Sequence, residues 1–139
     1  MKANIIYWSG TGNTEKMANS IADGIKSAGG EAVLKQVSSA SAEDVSTCDV
    51  LVLGCPSMGA EVLEESEFEP YIQSIEGLVS GKKLALFGSY DWGDGEWMRN
   101  FTERMQAAGA VLAAESLIVN NTPAGEDITK CEDFGKSLI

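Results

Sequence analysis

The chain has 139 residues, the size of one ordinary domain, and its 44% hydrophobic content with only three prolines excludes a disordered chain. A net charge of −11 excludes nucleic acid and anionic membrane surfaces as partners, since binding there rests on clustered Lys and Arg; acidity on this scale serves solubility or favours proteins with basic docking faces. With no His, and with Cys48, Cys55 and Cys131 odd in number and in no CxxC pair, a zinc site and a disulfide framework are excluded as well.

No apolar run approaches the ~20 residues of a membrane span, and the N-terminus enters a strand without the layout of a signal peptide, so a reducing cytoplasm is the expected location. Residues Ile5-Ile6-Tyr7-Trp8 form a short continuous apolar run, the pattern of a strand buried on both faces of a parallel sheet. Ser9–Asn13 follows as a glycine-rich loop. Met17, Ile21, Ile25 and Ala28 then recur at helical spacing until Gly29-Gly30 ends the helix. Val33–Val37 is more polar, which suits an edge strand, and Ser41–Val45 predicts one short helical turn. Val50–Leu53 is the second buried run. Phe68–Ile75 predicts a helix starting near Glu67 to Glu69, because Pro70 fits a first turn. Leu84–Phe87 is the third buried run, followed by a helix over Glu96–Ala108. Val111–Ala114 breaks at Glu115-Ser116 and resumes at Leu117–Val119, which predicts a final strand with an irregularity, and Asp127–Leu138 predicts the last helix.

The alternation of strand and helix, without repeat or linker, predicts one doubly wound α/β domain over residues 1–139, with helices on both faces of a parallel sheet. In such sheets ligands bind beyond the carboxyl ends of the strands, where the strand order switches. Three loops lie there: Ser9–Asn13, Cys55–Val62 and Ser89–Gly95. In the first, glycines admit an anion to the backbone, a helix N-terminus supplies unpaired N–H groups, and Ser9, Thr11, Asn13 and Thr14 add side-chain donors. It lacks the lysine and hydroxyl of a GxxxxGK[ST] loop, which disfavours nucleotide triphosphate hydrolysis, and it lacks the third glycine of a dinucleotide fingerprint. A neutral cradle for a terminal phosphate that is bound and never transferred remains. The second loop carries Pro56, Met58 and Gly59 at its tip, where a methionine either covers an apolar ligand or caps the next helix. The third exposes Tyr90 and Trp92 among glycines and acids, and two aromatics beside a phosphate cradle suit stacking on a flat ring.

On these residues the chain resembles the flavodoxins, in particular the short-chain clostridial type, over nearly its whole length. SGTGNT at 9–14 is similar to the family's phosphate loop, CPSMGAE at 55–61 to its first flavin-flanking loop and GSYDWGDGEW at 88–97 to its second; FEPYI, KKLALFG and LIVNN extend the likeness. The resemblance implies a five-stranded parallel sheet in the flavodoxin order 2-1-3-4-5 with FMN at the switch point, an order taken from the family and not from this chain's spacing. It also implies that Ser9, Gly10, Thr11, Gly12, Asn13 and Thr14 hold the FMN phosphate. Pro56, Ser57, Met58, Gly59, Ala60 and Glu61 would flank the ring on one side, with Met58 against one face. Glu61 would accept from the ring N–H, and Gly59 matches the glycine whose carbonyl can turn toward N5. Trp92 would cover the other face, with Asp91 beside it, and Ser89, Tyr90 and Asn121 would make secondary contacts. Asp91 stands where relatives carry glycine, and Asp tolerates positive φ better than most residues. Ala60 stands where several carry an acid.

The function that the resemblance implies is low-potential, one-electron transfer between redox proteins, with FMN cycling between semiquinone and hydroquinone. The residues agree: with no His and no nucleophile beside an evident base, the cofactor must supply the chemistry. No catalytic residue and no metal ligand is expected. Reductases and electron acceptors with basic docking faces are the expected partners of a monomer. The alternative is an FMN-dependent quinone or nitro reductase, which needs a substrate pocket over the flavin; short loops and two covered ring faces leave little room for one. A phospho-acceptor signalling domain is rejected, because Asp49 opens its strand instead of closing it.

Overall fold

A computed structural model describes all residues, Met1–Ile139. Strands β1 (Lys2–Tyr7), β3 (Val50–Gly54) and β4 (Lys83–Tyr90) are buried along almost their whole length, as strands covered on both faces must be. β2 (Glu31–Gln36) is half-buried and lies at the edge. All pairings are parallel, in the order β2-β1-β3-β4-β5, as expected from the family resemblance.

Successive side chains of the strands serve two separate cores. Ile6, Leu51, Leu53, Leu84 and Leu86 face α3 (Phe68–Ile75) and α4 (Glu96–Ala107), where Phe68 and Phe101 meet edge to face at 5.8 Å. Ile5, Val50, Val52, Ala85 and Phe87 face α1 (Asn13–Ser27) and α5 (Glu126–Ser137), through Met17, Ile21, Ile25, Cys131 and Phe134. The short helix α2 (Glu43–Ser46) is tied to β1 by the buried Asn4, whose Nδ2 donates to the Asp44 carbonyl at 2.8 Å. No helix is long and apolar enough to cross a membrane.

Three strand boundaries differ from the apolar runs. Trp8 is past the end of β1, although its N–H still donates to the Gly54 carbonyl at 3.0 Å. Val37 begins a short 3₁₀ turn instead of completing β2. β4 continues through Gly88, Ser89 and Tyr90, because these residues pair with β6 (Leu117–Asn120). The irregular last strand is two pieces on one edge: β5 (Val111–Leu112) pairs with Lys83 and Leu84, and β6 with Phe87–Tyr90. Residues 113–116 therefore stand opposite Ala85 and Leu86 alone, an insertion of two (four minus two). Because side chains alternate with period two, such an insertion breaks the ladder without turning β6 over.

Helices α1 and α5 touch backbone to backbone. A Cβ at Gly135 would lie 2.2 Å from the Ile21 carbonyl oxygen, and one at Gly24 would lie 2.0 Å from that of Glu132. Gly135→Ala should therefore cost about 1–3 kcal/mol, the usual range for overpacking. Gly77, with no atom within 4 Å of its Cβ position, is the control, and Gly77→Ala should be neutral or slightly stabilising. Urea unfolding followed by circular dichroism measures both; equal midpoints for the two variants would show that the helices part freely.

Candidate functional site

The carboxyl ends of β1, β3 and β4 bring the three loops together around one crevice of about 270 Å³. Gly10, Thr11 and Asn13 line it from the first loop, Pro56, Ser57 and Met58 from the second, and Ser89, Tyr90 and Asp91 from the third; Asn121 and Trp8 complete it. A larger groove of about 440 Å³ runs between α4 and the broken last strand, but of the three loops only Asp94 and Gly95 reach it.

In the first loop Gly12 has φ +97° and caps α1, a conformation that costs glycine little. The Ser9 hydroxyl oxygen accepts from the Gly12 and Glu15 N–H groups at 3.2 and 3.3 Å, which folds the loop over the helix end. The backbone N–H groups of Gly10, Thr11, Asn13 and Thr14 donate to no protein acceptor. They are the donors that a helix start leaves free for an anion. Thr14 is buried behind the loop, its hydroxyl 2.9 Å from that of Ser89, while Asn13 Oδ1 accepts from the Thr122 hydroxyl at 3.0 Å. Ser9, Gly12 and Thr14 thus shape the loop from behind and do not line the crevice.

The second loop is a minute hairpin. Met58 and Val62 exchange two backbone hydrogen bonds at 2.9 and 3.0 Å, and Gly59 (φ +48°) and Glu61 (φ +55°) make the reversal. Gly59 and Ala60 are exposed at its tip, outside the crevice lining. Glu61 is buried and reaches the third loop, where its Oε1 accepts from the Gly95 N–H at 3.2 Å. Its Oε2 takes no protein donor. The base of the hairpin is clamped to its neighbours: Cys55 N–H donates to the Phe87 carbonyl at 3.1 Å, Ser57 N–H to the Ser89 carbonyl at 3.0 Å, and the Trp97 indole to the Cys55 carbonyl at 3.1 Å.

In the third loop Tyr90 is half-buried, not exposed, because its ring packs 5.6 Å from that of Trp97. Trp92 stands 57% exposed and does not line the crevice. Asp91 lines it without a left-handed backbone; the positive φ values of this turn fall on Gly93 and Gly95. Trp8 was absent from the expected site, since the end of an apolar run reads as strand. No Lys or Arg lines the crevice, and the thiol of the buried Cys55, at the base of the second loop, is pushed up to about 12 by burial.

The family model for flavodoxin matches residues 5–135. The chain is 54% identical over 134 residues to a flavodoxin of Clostridium beijerinckii, covering 96% of each, and 42% identical to one of Megasphaera elsdenii, covering 96% of this chain and 95% of that one. Among solved structures, the solution structure of two-electron reduced Megasphaera elsdenii flavodoxin superposes with a TM-score of 0.90 at 40% identity, covering 98% of this chain and 97% of that one.

The second loop is anchored at its far end by Glu64, a buried carboxylate. Its N–H donates to Cys55 Sγ at 3.3 Å, and its oxygens accept from the N–H groups of Ser66, Glu67 and Phe68 at 2.8, 2.7 and 3.0 Å. It caps α3 from outside the helix. Burial alone would raise its pKa, but the Ser66 hydroxyl and these three N–H groups outweigh burial and hold it below the ordinary value. A depressed folded pKa contributes stability that is complete above the unfolded glutamate value, about 4.3, and is lost as pH falls through the folded one. Glu64→Ala should cost about 1–2 kcal/mol at pH 7, the range for losing a cap. The gap from wild type, read from urea midpoints, should close below about pH 4; a gap constant from neutral to acid pH would show that the charged carboxylate is not the cap.

Proposed function

The chain belongs to the flavodoxin family of FMN-binding electron-transfer proteins, and on that premise we propose how its residues hold the cofactor and meet its partners. It is an electron carrier and not an enzyme; the quinone or nitro reductase alternative is not favoured, and the role implies redox proteins as partners. FMN, when bound, supplies the chemistry by accepting and releasing electrons one at a time.

The observation that carries the assignment of residues is the set of four unpartnered N–H groups at Gly10, Thr11, Asn13 and Thr14, in a loop without a cation. They fit a terminal phosphate, which needs donors and a helix dipole, and transfer chemistry would need more. The Thr11 hydroxyl adds a donor, while Ser9, Gly12 and Thr14 keep the loop folded around the phosphate they would hold. Met58 faces the crevice on one side, flanked by Pro56 and Ser57. Trp92, exposed next to the lining residue Asp91, would cover the other face of a bound ring, and the exposure of so large an apolar side chain supports a flat partner there. Glu61 keeps Oε2 free for a ring N–H while its Oε1 holds the Gly95 N–H. Gly59 and Ala60 form the exposed hairpin tip, which would meet the ring edge, and Ser89, Tyr90, Asp91 and Asn121 line the remaining wall.

Partners dock by charge. Glu65, Glu67, Asp91, Asp94 and Glu96 are exposed in and beside the two flanking loops, which suits a basic face that orients the encounter and releases quickly. Residues 1–139 act as one domain and as a monomer in the reducing cytoplasm, consistent with three free, buried cysteines.

Denaturing the purified protein tests the assignment, because the supernatant should contain FMN; FAD, or a colourless protein that ignores added FMN, overturns it. Trp92 fluorescence should be quenched in the loaded protein and recover on cofactor removal. Trp92→Ala should weaken FMN binding by roughly 1–3 kcal/mol, by analogy with base–aromatic stacking. An unchanged dissociation constant would leave Trp92 a surface residue.

A further inference from the structure

Resting on the FMN reading above, we propose that Trp8 is a further residue of the cofactor crevice, one that seats the phosphate loop, and that Glu67 is the positioning residue that orients its ring. Trp8 leaves the sheet directly after β1, and its half-buried indole packs partly on the core under α3 and α4. It also lines the crevice, together with Gly10 and Thr11 of the first loop and Pro56 and Ser57 of the second.

The phosphate loop lies against this ring. A Cβ at Gly10 would be 2.9 Å from Trp8 Cη2 and 3.2 Å from Cζ3, so the indole sets how deep the loop backbone sits. The ring is itself held from the far side, where its Nε1–H donates to Glu67 Oε1 at 3.2 Å. Glu67 precedes α3, and its own N–H donates to Glu64 Oε1 at 2.7 Å. Glu64 in turn donates its N–H to Cys55 Sγ. A continuous set of contacts therefore runs from the phosphate loop through Trp8, Glu67 and Glu64 to the base of the Cys55–Val62 loop.

A ring free to turn about its χ angles no longer fixes the height of Gly10 and Thr11, and the N–H groups of these residues lose their common aim. The groups expected to flank the flavin are positioned by other bonds, those of Cys55, Ser57 and Trp97 with their neighbours. Loss of the Trp8–Glu67 bond should therefore act on the phosphate end of the ligand and spare the ring end. A strand-end tryptophan that only fills the core would act on both alike.

Full-length protein freed of cofactor, titrated with FMN and separately with riboflavin, which lacks the phosphate, separates these cases. Glu67→Ala should weaken FMN binding roughly 3- to 10-fold, the effect of one hydrogen bond, and leave riboflavin binding within about twofold. Glu67→Gln, which keeps an acceptor, should restore most of the FMN affinity. Trp8→Phe, which removes both the donor and the indole atoms against Gly10, should weaken FMN binding at least as much as Glu67→Ala, again sparing riboflavin, and provides an independent test if that variant folds poorly. Parallel loss of both ligands, or loss of neither, overturns the proposal while leaving the FMN assignment intact. Failure of the wild-type protein to bind FMN overturns both.

Discussion

The first turn of α1 is the feature on which the rest of the structure depends. With no Lys or Arg in the lining of the crevice, an anion held there would rest on the free N–H groups of a helix start. Such donors are useful only if they stand still. The glycine contacts with α5 hold the body of the helix, Met17, Ile21 and Ile25 fasten it to the sheet, and the Thr14–Ser89 hydroxyl pair pins its first turn to the end of β4. The Thr14–Ser89 contact also explains why β4 extends past its apolar run. Pairing with β6 is what carries Ser89 up to the level of α1.

Loops two and three are joined to each other directly and through β4 and α4. The Cys55 and Ser57 amides pair with β4, the Trp97 indole holds the Cys55 carbonyl, and Glu61 spans to Gly95. Gly88 permits this closeness, since a Cβ there would lie 2.2 Å from the Cys55 carbonyl oxygen. Two walls built as a unit keep a fixed spacing across the crevice. A hairpin of five residues hanging alone from a strand end would not.

Much of this was legible in the sequence. Continuous apolar runs identified β1, β3 and β4; helical spacing and the Gly29-Gly30 stop located α1; Pro70 placed the start of α3. Glycines and hydroxyls after β1 marked the first loop, because only backbone donors are left when cations are absent. What escaped detection depends on distant partners. Trp8 read as strand because hydrophobicity cannot tell a ring in the core from one half in a crevice. Gly88 and Ser89 read as loop because their place in β4 is set by β6. The Glu64 cap lies three residues before the helix boundary, so local pattern at Glu67 showed nothing, and Tyr90 read as exposed because its cover, Trp97, comes from the next helix.

Charge has a division of labour that follows from these placements. Every ion pair of the fold lies outside the crevice lining. Lys2–Glu31 and Lys35–Asp44 lie beside the edge strand, Arg99–Asp94 is exposed on α4, and Arg104 binds Glu69 and Glu76 to join α4 to α3. The last group is the most structural, since the Arg104 guanidinium holds the Glu69 carboxyl below its ordinary value and spends its donors on α3. The four cations in these pairs, Lys2, Lys35, Arg99 and Arg104, are spent away from the first loop. The crevice therefore combines neutral N–H donors at one end with Glu61 and Asp91 near the other. FMN held there would take up an electron against the field of these carboxylates and of the net charge of −11, whose longer-range part salt screens. A field of that sign would favour release of electrons, as a donor to other proteins requires.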